Sequence, residues 1–131
     1  MTKMVFINLP VTNLPNAIAF YTALGFKQNE AFSNEKSAAM IWSDDIWFML
    51  LTHDFYAQFL QNQTIADTQT TSGAMIALSL DSVTDVKRFA ETAKKNGGSY
   101  YHVDMGIPED QMYELEVKDL DGNVVSVDWL E

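Results

Sequence analysis

Glu114 and Glu116 stand two apart in a largely apolar run, and Asp128 follows in the next such run. Residues two apart on a strand share a face, so these three carboxylates can converge on one side of a sheet. Converged carboxylates can replace a metal site through their oxygens, or hold one carboxyl at a raised pKa as a general base. The plainer reading is that they are exposed carboxylates on the solvated face of a chain that is acidic throughout. His53 and His102 lie in the contexts Thr52-His53-Asp54 and Tyr101-His102-Val103. Neither context has the spacing of a ligand pair, which reads them as structural or surface side chains. Cysteine is absent, which removes thiolate nucleophiles, thiolate metal ligands and disulfides. No Ser-His-Asp spacing and no glycine-rich phosphate loop occurs, since Gly97-Gly98 and Gly122 read as turns. Asn8 can orient a bound molecule or satisfy buried backbone, because a buried amide needs partners in either case. Phe6, Trp47, Phe48, Met49, Met75, Met112, Tyr113 and Trp129 are mostly core material, with flat and soft side chains left over for a planar ligand.

The elements that must position these groups occur twice. Residues 6–11 fall on residues 75–80, and the match runs on through Asn13-Leu14 onto Ser82-Val83 and Phe20 onto Phe89. Such a repeat implies two copies of one supersecondary unit. In the first copy, residues 5–11 read as a buried strand. Asn13 caps a helix that has Pro15 in its first turn. Ala17, Ile18, Phe20, Tyr21 and Leu24 give that helix its apolar face, and Gly25 closes it. Strands follow at residues 27–32, 37–42 and 46–52, with Asp44-Asp45 as a turn. The second copy has a strand at residues 74–80, a capping box at Ser82-Val83-Thr84-Asp85, and a helix face of Val86, Phe89, Ala90 and Ala93. Its strands are expected at residues 99–103, 112–118 and 124–129, with Asp121-Gly122-Asn123 turning the last hairpin. The expected division is one domain over residues 1–131: a first module at 1–52, a connector at 53–73 and a second module at 74–131. In the connector, Phe55, Tyr56, Phe59 and Leu60 suggest a short amphipathic helix. Residues 61–72, rich in Thr and Gln, read as a solvated connector, with a lid over a pocket as the functional alternative.

Composition narrows the partners. Of 131 residues 47% are hydrophobic, including 3 Trp, 5 Tyr and 8 Phe, enough for a core without staples. Eight basic residues against 18 acidic give a net charge of −10, which repels a phosphate backbone and argues against nucleic acid. No apolar run reaches the length of a membrane span. The N-terminal residues lead straight into the repeat, which leaves no room for a signal peptide. The expected setting is the cytoplasm.

Asn8-Leu9-Pro10-Val11, then Ala19-Phe20-Tyr21 through Leu24-Gly25-Phe26, then Asp119-Leu120-Asp121-Gly122-Asn123 occur in an order and spacing that resembles the vicinal oxygen chelate superfamily of glyoxalases, bleomycin-resistance proteins and extradiol dioxygenases. The last stretch is similar to that family's D-P-D-G-N/H turn, with Leu120 in place of Pro. The resemblance covers the whole chain. It implies an α+β fold of two β-α-β-β-β modules forming an open curled mixed sheet, and a homodimer. It also implies a metal held by His, Gln or Glu from four strands. The matching positions here are Phe6, Leu50, Met75 and Ser126, none of which suits an oxygen- or nitrogen-liganded cation. Strand alternation puts Met4, Phe6 and Asn8 in the cleft, with Phe48, Leu50 and Thr52, with Met75, Ala77 and Ser79, and with Val124, Ser126 and Asp128. The expectation is a protein with no metal and no cofactor that binds a small amphipathic or aromatic molecule between its modules. The ligand contacts would be Phe6, Asn8, Phe48, Leu50, Met75, Ser126 and Asp128. The alternative is a metal-dependent glyoxalase or an extradiol dioxygenase type of enzyme, whose metal acts as a Lewis acid on vicinal oxygens.

Overall fold

The computed structural model describes residues 2–131. The chain forms two compact units that meet in sequence between Ala66 and Asp67, inside the expected connector.

In the first unit, β1 (Val5–Val11) leads into α1 (Leu14–Ala23), then β2 (Lys27–Asn29), β3 (Ser37–Ser43), β4 (Ile46–Thr52) and a short α2 (His53–Ala57). The strand order is β1-β4-β3-β2, with β1 parallel to β4 and the other pairs antiparallel. The Asn13 side chain accepts from the Asn16 backbone N–H at 3.0 Å and starts α1. Gly25, at φ 105°, ends it in a conformation that side chains avoid. The buried stripe Ala17, Phe20, Tyr21 and Leu24 lies over the sheet. Tyr21 meets Phe48 edge to face at 5.6 Å, and Phe26 meets it at 4.9 Å. The strand expected to run to residue 32 stops at Asn29, because the Asn29 side chain accepts from Ala31 N–H at 3.1 Å and starts a 3₁₀ turn at Glu30–Phe32. The Thr52 hydroxyl caps α2 by accepting from Phe55 N–H, and Phe55 and Phe59 meet edge to face.

The second unit runs β5 (Met75–Ser79), α3 (Val83–Lys95), β6 (Ser99–Tyr101), β7 (Met112–Lys118) and β8 (Val124–Leu130). Its order, β5-β8-β7-β6 with β5 parallel to β8, repeats that of the first unit. The Ser82 hydroxyl accepts from Asp85 N–H at 3.0 Å, and Lys94 and Lys95 sit at the negative end of α3. Val86, Phe89, Ala90 and Ala93 are buried at helical spacing, and α3 packs on β6, β7 and β8. Leu115, Val117, Val125 and Val127 complete that core.

Part of the Thr- and Gln-rich stretch is anchored within this second unit. Residues 67–71 form a turn on Asp67, whose carbonyl accepts from Thr70 and Thr71 N–H. The Thr68 hydroxyl donates to the Asp121 carbonyl, and the Gln69 amide donates to the Leu120 carbonyl at 3.2 Å. Polar residues that looked merely solvated supply donors for carbonyls of the β7–β8 turn. Among the described residues no helix is long and apolar enough to cross a membrane.

Candidate functional site

The second sheet turns one face to α3 and leaves the other free of helix. On the free face the antiparallel β7–β8 register sets Glu114 opposite Asp128 and Glu116 opposite Ser126. The parallel β5–β8 register adds Ala77 beside Ser126 and Ser79 beside Asp128. Ser126 and Glu116 are both buried, and the Ser126 hydroxyl donates to the Glu116 carboxylate. The three carboxylates therefore converge, as the pattern of alternate residues allowed.

Their proximity has an electrostatic consequence. Hydrogen bonding to Glu116 raises the Glu114 pKa to about 7, helped by burial and by the charges of Glu116 and Asp128. Burial, then the charge of Glu116, also raises Asp128. Carboxylates this close resist ionising together, so Glu114 keeps its proton up toward neutrality. It can exchange a proton at physiological pH or receive a hydrogen-bond donor from a ligand. Stability follows with a definite sign. The folded-state pKa of Glu114 lies above the ordinary value of 4.5, so folding favours the protonated form. That contribution is complete below about 4.5 and fades as pH rises through about 7. Solvent reaches the carboxyl and screens it, so the expected loss is about 1 kcal/mol. Thermal melts from pH 5 to pH 8 should show a falling midpoint whose slope flattens in Glu114→Gln. An unchanged slope in the variant would contradict the raised Glu114 pKa.

On the first sheet, β1 and β4 pair with Phe6 opposite Trp47, Ile7 opposite Phe48, Asn8 opposite Met49 and Leu9 opposite Leu50. This corrects the sequence reading of β4. Phe48 and Leu50 are fully buried on the helix side of the sheet, where Phe48 meets Tyr21 of α1, and neither faces a ligand with Phe6 and Asn8. The free face carries Trp47 and Met49 instead. The reason is compositional: Ile-Trp-Phe-Met-Leu-Leu is apolar at every position, so it has no alternation from which to take a phase. The repeat held the missing signal. Met49 lies beside Asn8 as Ser126 lies beside Ala77, and residues 8 and 77 correspond in the two copies. Phe6 and Trp47 meet edge to face at 5.5 Å and 78°, and Phe32 meets Trp47 at 5.8 Å and 63°. Phe6, Asn8 and Met75 are exposed. Both histidines lie at the surface, and His102 stacks on Tyr113 at 5.6 Å.

The resemblance reserves Phe6, Leu50, Met75 and Ser126 for a metal, but on β4 it is Met49, beside Asn8, and not the buried Leu50, that shares the free face with Phe6. In the first unit Phe6 and Met49 offer a ring and a thioether, and in the second Met75 and Ser126 offer a thioether and a hydroxyl already bonded to Glu116. Neither pair fits a hard divalent cation, which needs several oxygen or imidazole ligands.

No curated protein matches the chain. Solved structures share its fold. A hypothetical protein from S. aureus is 24% identical at a TM-score of 0.77, over 97% of this chain and 93% of that one. The fosfomycin resistance protein FosX from Listeria monocytogenes, complexed with Mn(II) and sulfate ion, is 14% identical at 0.70, over 100% and 92%. A bleomycin-binding protein complexed with bleomycin is 18% identical at 0.65, over 99% and 100%. Residues 3–127 match the model of one family, and the repeated β-α-β-β-β units carry its fold: the chain belongs to the Glyoxalase/Bleomycin resistance protein/Dioxygenase superfamily.

Proposed function

We propose that this chain is a small-molecule-binding member of its superfamily that works without a metal at the inherited positions. The observation that carries this reading is the donor set just described, apolar and thioether groups at three of four positions. The ligand is amphipathic and aromatic. Phe6, Trp47 and Met49 on the first sheet and Met75 on the second supply apolar contact, while Asn8, Ser126 and Asp128 supply polar contact. Apolar walls with a few fixed polar groups are the usual make-up of such sites. The bleomycin-binding relative, seen with bleomycin, supports binding as a role for this fold. Met105 and Leu130, each more than three-fifths exposed, are better covered by a second copy, which favours a homodimer. The absence of cysteine suits the cytoplasm.

Elemental analysis of protein purified without chelator, followed by thermal-shift measurements against a panel of aromatic amphiphiles, tests the reading. The expected result is metal far below one ion per chain. With a ligand at 100 times its Kd, the expected stabilisation is about 2.7 kcal/mol. A stoichiometric Ni, Zn, Fe or Mn that is lost with the ligand response on chelation would overturn it and return the metal-dependent enzyme of the glyoxalase or dioxygenase type.

A further inference from the structure

The corrected register brings a group of rings onto the first sheet that the polar residues of the site do not explain. Trp47 sits beside Phe6 across the β1–β4 pair, and Phe32 reaches it from the 3₁₀ turn. Phe6 is 49% exposed and Phe32 64%. Both rings stand steeply to Trp47, at 78° and 63°. When one ring abuts another at such an angle, the two planes bound an open corner. The faces of both rings are negative, because the aromatic quadrupole places its positive rim at the edge. A cation in that corner meets two such faces at once.

The remaining charges favour the same occupant. Trp47 N–H donates to the Asp44 carbonyl at 3.3 Å, and Val5 N–H donates to the Asp45 carbonyl at 2.8 Å. Those bonds tie both aspartates to the strands that carry Trp47 and Phe6, and both aspartates are exposed. Glu30, also exposed, opens the turn that ends in Phe32. Lys27 opposes them. It lies in the same cross-strand row as Ile41 and Trp47, two strands away and about 10 Å distant by strand spacing. Salt screens most of its effect at that distance. The chain as a whole carries −10 and draws cations. In the second unit, the half-buried Tyr113 and the exposed Tyr101 carry their own ammonium groups, Lys87 over Tyr113 at 5.2 Å and Lys118 over Tyr101 at 5.9 Å. Among the described residues no such group is seated over Phe6, Trp47 or Phe32.

We propose that Phe6, Trp47 and Phe32 recognise a methylated ammonium group on the ligand. The inference rests on the small-molecule reading above and names the chemistry of one end of that molecule. Methylation matters because a quaternary ammonium sheds its water more readily than a primary one, which is why aromatic corners select it.

The test uses the full chain and choline, with ionic strength held constant by NaCl. The control is the neutral alcohol in which carbon replaces choline's nitrogen. Nuclear magnetic resonance follows the Trp47 indole N–H, identified by its loss in Trp47→Phe. Choline is expected to shift that signal saturably, at a Kd at least about 5-fold below that of the neutral alcohol. Phe32→Leu, at an exposed position, should weaken choline about 3- to 10-fold. Lys27→Gln should change it by less than about 2-fold, because that charge is largely screened. Equal binding of the neutral alcohol overturns the cation inference and leaves the small-molecule reading standing. Absence of any shift overturns it too, and the aromatic panel then decides the broader reading separately. Signal broadening that tracks protein concentration and blocks choline shows the rings covered by a second copy, which also overturns it.

Discussion

Phe48→Ala should destabilise the fold by about 4 kcal/mol and lower the thermal midpoint by about 12 °C. Phe6→Ala should move stability by only about 0.5 kcal/mol and weaken ligand binding instead. The contrast follows from the side of the sheet each ring occupies. Phe48 is fully buried and touches Tyr21 and Phe26, rings that close packing cannot collapse onto the vacated space. Its deletion removes apolar transfer energy and leaves a cavity. Phe6 already meets water over half its surface, so truncation exposes little. Had β4 the opposite phase, Phe48 would tolerate alanine and Trp47 would not. Urea unfolding of both variants, with ligand binding measured on the same samples, checks the assignment. A Phe48→Ala protein as stable as the parent would restore Phe48 to the ligand face.

That contrast marks where the sequence was legible. In β8, Val125 and Val127 alternate with Ser126 and Asp128, so the composition itself announced which side met α3. The same alternation in β7 let Glu114 and Glu116 be placed together. In β4 every candidate was apolar, and only hydrogen-bonded pairing with β1 could set the phase. A one-residue error there exchanged Phe48 and Leu50 for Trp47 and Met49, and hid the ring cluster with them. The β2 strand failed for a local reason: Asn29 has an oxygen that bonds the backbone two residues on, which competes with strand pairing. The anchoring of Thr68 and Gln69 was invisible for the opposite reason. Their partners are carbonyls of Asp121 and Leu120, far along the chain, and composition records no such pairing.

Gly122→Ala should cost about 3 kcal/mol and lower the midpoint by about 9 °C. The turn it belongs to is built from one side chain. The buried Asp119 carboxylate accepts from Asp121 and Asn123 N–H, each at 2.9 Å, and from the Asn123 amide at 3.0 Å. Those bonds hold Gly122 at φ 85°, where alanine is disfavoured by about 1 kcal/mol. Space is the larger obstacle. A Cβ on Gly122 would lie 2.5 Å from the Thr68 carbonyl oxygen and 2.9 Å from its carbon. Both atoms are backbone, so the segment must move, and the bonds of Thr68 and Gln69 to the turn are strained with it. Gly25→Ala separates the two effects. Gly25 also has positive φ, at 105°, but nothing lies within 4 Å of its Cβ direction, so only the conformational cost of about 1 kcal/mol applies. The difference between the two variants measures how firmly residues 67–71 press on the turn. Equal losses would mean that the segment yields freely, and that its hydrogen bonds to Asp121 and Leu120 contribute little to the second unit.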